Sequence, residues 1–109
     1  MRQAEILYKR KPAGVLTQLD DGSFVFRYYN SWYSNPKNPN ISLTLPKTQL
    51  EYTSKFLFPF FYNMLPEGSN KKVVCFELRI DAADYFGLLL SIAKNDTIGA
   101  ITIKKIETT

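Results

Sequence analysis

Short runs of apolar residues, several of them alternating with polar residues, predict β-strands in the first half of the chain and at its end. The five predicted strands are residues 5–9, 15–19, 24–29, 41–45 and 100–106. Asp20-Asp21-Gly22-Ser23 predicts a hairpin between the second and third strands, because Asp-Gly tolerates the positive φ of tight turns. Residues 11–14, with Pro12 and Gly14, predict a turn. Residues 30–40, rich in asparagine and proline, predict a loop.

A helical period replaces this pattern in the second half of the chain. Residues 82–93 predict a helix capped by Asp81, in which Tyr85, Leu88, Leu89 and Ile92 share one buried face. The aromatic stretch "FPFFYNMLPEG" predicts a short helix over 59–64, since proline suits a first helical turn, with a turn before it from Thr53.

The pattern of residues 71–79 is ambiguous. Val73 and Val74 favour a strand, whereas Glu77 and Leu78 are compatible with a helix. Together the elements predict an α+β fold: one small domain over 1–109, with an antiparallel, barrel-like sheet of about five strands packed with two to three helices.

Composition agrees with a folded domain and limits its location. Of 109 residues, 45% are hydrophobic and 15% aromatic, which is enough for a core. The net charge of +4 is too small to indicate a polyanionic partner by itself. Neither an apolar run of about 18 residues nor a secretory h-region is present, so we expect a cytoplasmic protein with no membrane contact.

The residues needed for most catalytic and metal sites are missing. The chain has no histidine and one cysteine, Cys75, which we interpret as a small buried hydrophobe. Its five glycines are dispersed, so no phosphate-binding loop is present. Asp81 and Asp84 are interpreted as helix N-terminal charges. The sequence therefore predicts a protein that is not an enzyme and that binds no cofactor or metal.

Several segments, in order, resemble a known family. The segments "AGVL", "SFVFRY", "ISLTLP", "PFFYNMLPEG" and "DYFGLLLSIAKNDTIGAITI" are similar to the N-terminal subdomain of HipA-type serine/threonine kinase toxins. Thr44, Met64 and residues 95–98 depart from the family pattern. The resemblance covers nearly the whole chain and implies a helix at about 70–78.

What the resemblance implies about function follows from what the chain lacks. In single-chain HipA the kinase core comes after this subdomain, whereas here the chain ends after the last predicted strand. The resemblance therefore implies a HipS-like small protein of a tripartite HipBST toxin–antitoxin system. Its expected role is that of an antitoxin that inhibits a separate HipT-like kinase. A HipB-like helix-turn-helix protein would be the third partner, with DNA bound only indirectly. The alternative is an accessory subunit of a split kinase.

The expected kinase contacts lie in "PKTQLEY" and "YNMLPEG". They are Lys47, Gln49, Leu50, Tyr52, Tyr62, Leu65, Pro66 and Glu67. Phe60, Phe61 and Trp32 are interpreted instead as packed structural residues.

A second alternative is a single-strand nucleic-acid platform. Its residues would be Phe24, Phe26, Tyr28 and Tyr29, with Arg27 and Lys9. However, three of these aromatic residues share the strand face that the core needs.

Overall fold

The computed structural model describes residues 2–63, 65, 84–93 and 100–106. These residues form strands β1 (Arg2–Tyr8), β2 (Lys11–Gln18), β3 (Phe24–Tyr28), β4 (Glu51–Ser54) and β5 (Ile101–Ile106). They also form helices α1 (Asn30–Tyr33), α2 (Pro59–Tyr62) and α3 (Tyr85–Ala93). The strands pair antiparallel in the order β4-β3-β2-β1-β5. The predicted α+β fold is confirmed.

One face of this sheet carries the core, because alternate side chains of a strand point to the same side. Buried strand residues on it include Ala4, Ile6, Leu16, Phe24, Phe26, Tyr28, Ile101 and Ile103. The predicted β2–β3 hairpin is confirmed. Gly22 has a φ of +89°, and Leu19 N–H donates to the carbonyl oxygen of Ser23 at 2.8 Å. Asp21 accepts the Ser23 backbone N–H at 2.9 Å, which holds the turn closed.

The predicted turn at 11–14 is wrong. The chain reverses earlier, at Lys9 and Arg10, which both have positive φ values of 49° and 68°. β2 therefore begins at Lys11, and Pro12 pairs opposite Leu7 beside a register shift in β1. A proline is tolerated in a strand at such an irregularity, because the ladder is already interrupted there.

The predicted strand over 41–45 is also wrong, although two of its three apolar residues are buried. Ile41 and Leu45 are buried, but the backbone between them turns, with Leu45 N–H donating to the Ser42 carbonyl at 3.1 Å. The buried hydroxyl of Tyr28 holds both ends: it accepts from Ile41 N–H at 3.1 Å and donates to the Leu45 carbonyl. A side-chain bond to Tyr28 thus replaces strand pairing, and it leaves Leu43 95% exposed.

Two further elements differ from the sequence prediction. Residues 30–40 contain α1, whose Trp32 is buried and donates its indole N–H to the Pro39 carbonyl at 3.0 Å. The expected packing of Trp32 is therefore confirmed. β4 was not predicted, and Thr53 lies within it rather than in a turn. β4 pairs with β3, so that Arg27 lies opposite Glu51.

The aromatic stretch packs against the core face of the sheet through α2. α2 begins at Pro59, as predicted, and Phe61 is fully buried beside Phe26, with ring centroids 6.1 Å apart. The helix predicted over 82–93 is present as α3 in its described part, and its Leu88 and Leu89 are buried. The helix expected at 70–78, the Asp81 cap, Cys75 and the loop at 95–98 lie outside the described residues.

Candidate functional site

The expected kinase contacts divide into two groups at opposite ends of β4. The first group is Lys47, Gln49 and Leu50, which precede β4, and Tyr52, the second residue of β4. The Leu50 carbonyl oxygen accepts from Tyr28 N–H at the end of β3. Tyr62 lies instead at the other end. It lines the same cleft as Phe24, the first residue of β3. Antiparallel pairing of β3 with β4 separates these two ends by the length of the strand.

Lys47 has a structural role in the first group. Its ammonium group donates to the carbonyl oxygens of Asn35 at 2.6 Å and Asn38 at 2.8 Å. Its backbone N–H donates to the side-chain oxygen of Asn40 at 2.7 Å. Lys47 therefore ties the 35–40 loop to the segment before β4, and its charge is already solvated by carbonyl oxygens.

The other members of this group differ in how accessible they are. Gln49 is exposed, and its side-chain amide donates to the Glu51 carbonyl at 2.7 Å. Leu50 and Tyr52 are half-buried against the core. The Tyr52 hydroxyl donates to the Pro46 carbonyl at 2.6 Å. Gln49 is thus the one expected contact before β4 whose side chain lies largely in solvent.

The second group contains one accessible and one buried residue. Tyr62 is 44% exposed, and its ring meets Tyr85 edge-on at a centroid distance of 5.6 Å. Leu65 is only 7% exposed and belongs to the core cluster. Its side chain fills core space, so truncating Leu65 should destabilise the fold, and little of the side chain is available to a partner. Pro66 and Glu67 lie outside the described residues.

Tyr62 also borders a cleft that the sequence did not reveal. The cleft has a volume of about 390 Å³ and is lined by Gln18, Gly22, Phe24, Lys55, Phe56, Leu57, Tyr62 and Tyr85. Phe56 is 78% exposed, whereas Leu57 and Phe58 beside it are buried. No periodicity in "KFLFPFFY" distinguishes the exposed phenylalanine from the buried ones. The only signal was the adjacent Lys55, a charged residue next to an aromatic one.

The nucleic-acid platform considered from the sequence is not available. Phe24, Phe26 and Tyr28 are all buried, so their rings cannot stack on bases. Tyr29 is half-buried, and its hydroxyl donates to a carboxylate oxygen of Glu5 at 2.8 Å. Burial, with a further contribution from Glu5, raises the pKa of Tyr29 to about 12. This hypothesis is wrong, because the sheet uses that face for its core.

Other kinds of site are limited by the side chains that the fold brings together. Within the described ranges, no group of three or more histidine, cysteine or acidic residues is close enough to hold a metal ion. None of the helices in the described part of the chain has the length and apolar composition needed to cross a membrane. Among the described residues, the cleft beside Tyr62 and the exposed Phe56 ring are the candidate binding features.

The comparison with protein families agrees with this geometry. The model of the HipA N-terminal domain matches residues 4–104. The chain belongs to the HipA N-terminal domain family. The match is to this domain and not to the kinase catalytic domain, and the predicted resemblance is confirmed.

Similar proteins include both long and short chains. "Putative kinase Y4dM" of Sinorhizobium fredii is 31% identical over 103 residues, which cover 89% of this chain and 25% of that protein. An uncharacterized protein of Haemophilus influenzae is 30% identical over 105 residues, covering 96% of this chain and 93% of that protein. The chain thus spans a quarter of the kinase-named relative but nearly all of the other.

A solved structure supports the same fold. The N-terminal domain of HipA toxin is similar with a TM-score of 0.69 and 22% identity. The similarity covers 100% of this chain and 96% of that one.

Proposed function

We propose that this protein is a non-catalytic antitoxin that binds and inhibits a separate HipA/HipT-like serine/threonine kinase toxin. The observation that carries the proposal is the extent of the family match. It covers 101 positions, from residue 4 to residue 104, with the HipA N-terminal domain alone. The Haemophilus influenzae relative is matched over 93% of its length, so a chain consisting almost entirely of this domain exists. Phosphoryl transfer would then belong to a second polypeptide.

The surface supports a protein partner. Phe56 is 78% exposed and Tyr62 is 44% exposed, and both side chains line the same cleft. Exposed apolar side chains that lie together in this way are typical of surfaces that another protein covers. The partner we propose is the kinase, with a HipB-like helix-turn-helix protein as a third member of the complex.

The proposed mechanism is steric. A kinase transfers phosphate only when its lobes and phosphate-binding loop close around ATP and magnesium. A rigid domain bound beside that cleft opposes closure, because the two lobes cannot approach each other while it is in place. The domain needs no catalytic group of its own for this effect.

An accessory subunit of a split kinase is the second candidate. Its support is that "Putative kinase Y4dM" contains a matching segment within a chain about four times as long, since the match covers 25% of it. In that case the same docking would complete the kinase rather than restrain it.

The test is growth of cells in which the candidate kinase is induced with and without this protein. We expect co-expression to restore growth. Phe61→Ala, which removes a fully buried ring, should abolish the rescue because it weakens the fold. A kinase with its catalytic aspartate replaced serves as the control for toxicity. Unchanged arrest on co-expression would refute the antitoxin role, and deeper arrest would favour the accessory subunit.

A further inference from the structure

The cleft beside Tyr62 is built from separate parts of the fold. β2 contributes Gln18 to it, β3 contributes Phe24, and the segment after β4 contributes Lys55 to Leu57. Tyr62 of α2 and Tyr85 of α3 complete the described lining. Its volume of about 390 Å³ falls within the range of roughly 300–1,000 Å³ typical of ligand pockets.

The walls of this cleft are held in place by contacts outside it. Arg2 donates to Asp84 at 3.0 Å, and Asp84 accepts the Gly87 N–H at 3.1 Å, which fixes the start of α3 next to Tyr85. Phe56 N–H donates to the Ser54 hydroxyl at 3.2 Å. These bonds hold the backbone next to Tyr85 and at Phe56, so binding there should require little further ordering of the backbone.

Phe56 indicates the size of the occupant. Phe56 is 78% exposed, so the described residues leave most of its ring uncovered. A small molecule within the cleft would cover only its inner edge. A protein segment lying across the rim would cover the ring and fill the cleft together, so the apolar surface favours a protein.

Charge indicates the chemistry of that segment. Lys55 is the charged residue among the described lining, and the described part of the chain provides no ion-pair partner for it. Asp20 lines the neighbouring hollow, which shares Gln18 and Gly22 with the cleft. A single carboxylate can reach Lys55, whereas a nucleic-acid backbone would bring several phosphates near Asp20 and Asp21.

We propose that this cleft receives a segment of the partner kinase in which a large apolar side chain and a carboxylate lie side by side. The apolar side chain enters against Phe56 and Tyr62, and the carboxylate pairs with the Lys55 ammonium group. This inference rests on the proposed function and defines the chemistry of the contact.

The experiment measures binding of the purified kinase chain to the full-length protein by titration calorimetry. Phe56→Ala should weaken binding at least about 30-fold, the loss expected of a central anchor. Lys55→Gln should weaken it about two- to fivefold, as for an exposed ion pair, and should reduce its dependence on salt.

Matched controls use residues outside the cleft. Leu43→Ala removes an apolar side chain that is even more exposed, and Lys37→Gln neutralises an exposed lysine in the 35–40 loop. Both should bind within about twofold of the unaltered protein. Thermal unfolding checks that each variant is folded, and we expect it to be, because these side chains lie in solvent.

The outcomes separate this inference from the proposed function. If the unaltered protein binds the kinase and folded Phe56→Ala binds equally well, the cleft inference is wrong and the antitoxin proposal stands. If the unaltered protein does not bind the kinase, both are wrong. Binding of a polyuridine RNA that Lys55→Gln and Phe56→Ala abolish would also overturn the inference, in favour of a nucleic-acid ligand.

Discussion

Phe61→Ala tests whether the aromatic stretch divides into core and surface as the structure indicates. Phe61 is fully buried, and its ring lies 6.1 Å from Phe26, 6.4 Å from Phe58 and 5.1 Å from Phe60. Truncation leaves a cavity among three rings that α2 and the sheet hold apart. Tyr62→Ala, one position later, is the matched control, because its ring is 44% exposed.

The magnitudes follow from these environments. Removing a buried phenylalanine ring lowers the free energy of unfolding by about 3–5 kcal/mol. A 109-residue domain has an unfolding entropy of roughly 0.23 kcal/mol/K, from about 2.1 cal/mol/K per residue, so its Tm should fall by about 13–22 °C. Tyr62→Ala loses mainly the edge-on contact with Tyr85, about 1 kcal/mol, and its Tm should fall by about 4 °C.

Urea denaturation followed by circular dichroism measures both losses and also reports the m-value. An unchanged m-value with a lower midpoint for Phe61→Ala would attribute the loss to the folded core. Equal losses for Phe61→Ala and Tyr62→Ala would refute this division, because they would mean that Tyr62 is as much a part of the core as Phe61.

Three further predictions concern the sheet, an ion pair and nucleotide binding. Gly14→Ala should lower the free energy of unfolding by about 3 kcal/mol in urea titrations, because its Cβ would lie 2.5 Å from the Arg27 carbonyl oxygen; a loss below about 1 kcal/mol would contradict the close approach. The hydrogen bond from Arg2 lowers the pKa of Asp84, so its stabilisation should be complete above the unfolded pKa of about 3.9 and lost as pH falls through the lower folded value. The stability difference from Asp84→Asn, measured by urea titration between pH 2 and 7, should therefore shrink only below about pH 4. Calorimetry with magnesium-ATP should detect no binding by this chain, since residues 4–104 match the HipA N-terminal domain rather than the kinase catalytic domain; micromolar affinity would overturn the proposal that the protein is non-catalytic.

The sequence alone was enough to predict the turns and helix starts that depend on a few adjacent residues. Asp21-Gly22 was enough to predict the β2–β3 hairpin, because glycine accepts the φ of +89° that the turn requires. Pro59 marked the start of α2, since a proline at the first helical position loses no hydrogen bond. The ordered motifs of the whole chain also indicated the family, which the match over 4–104 confirmed.

Tertiary structure decided which apolar residues are paired, buried or exposed. The alternation over 41–45 correctly predicted that Ile41 and Leu45 are buried, but Leu43 is exposed. The segment pairs with none of the described strands, because the Tyr28 hydroxyl bonds to the backbone of Ile41 and Leu45 instead. β4 exists because the edge of β3 offers it a partner, and four residues carry too little pattern to predict this alone. Phe56 and Phe61 are the same residue type in one aromatic stretch, yet one faces water and the other fills the core. Their burial differs because it depends on the direction in which the chain leaves β4 and enters α2. Only long-range packing determines that direction.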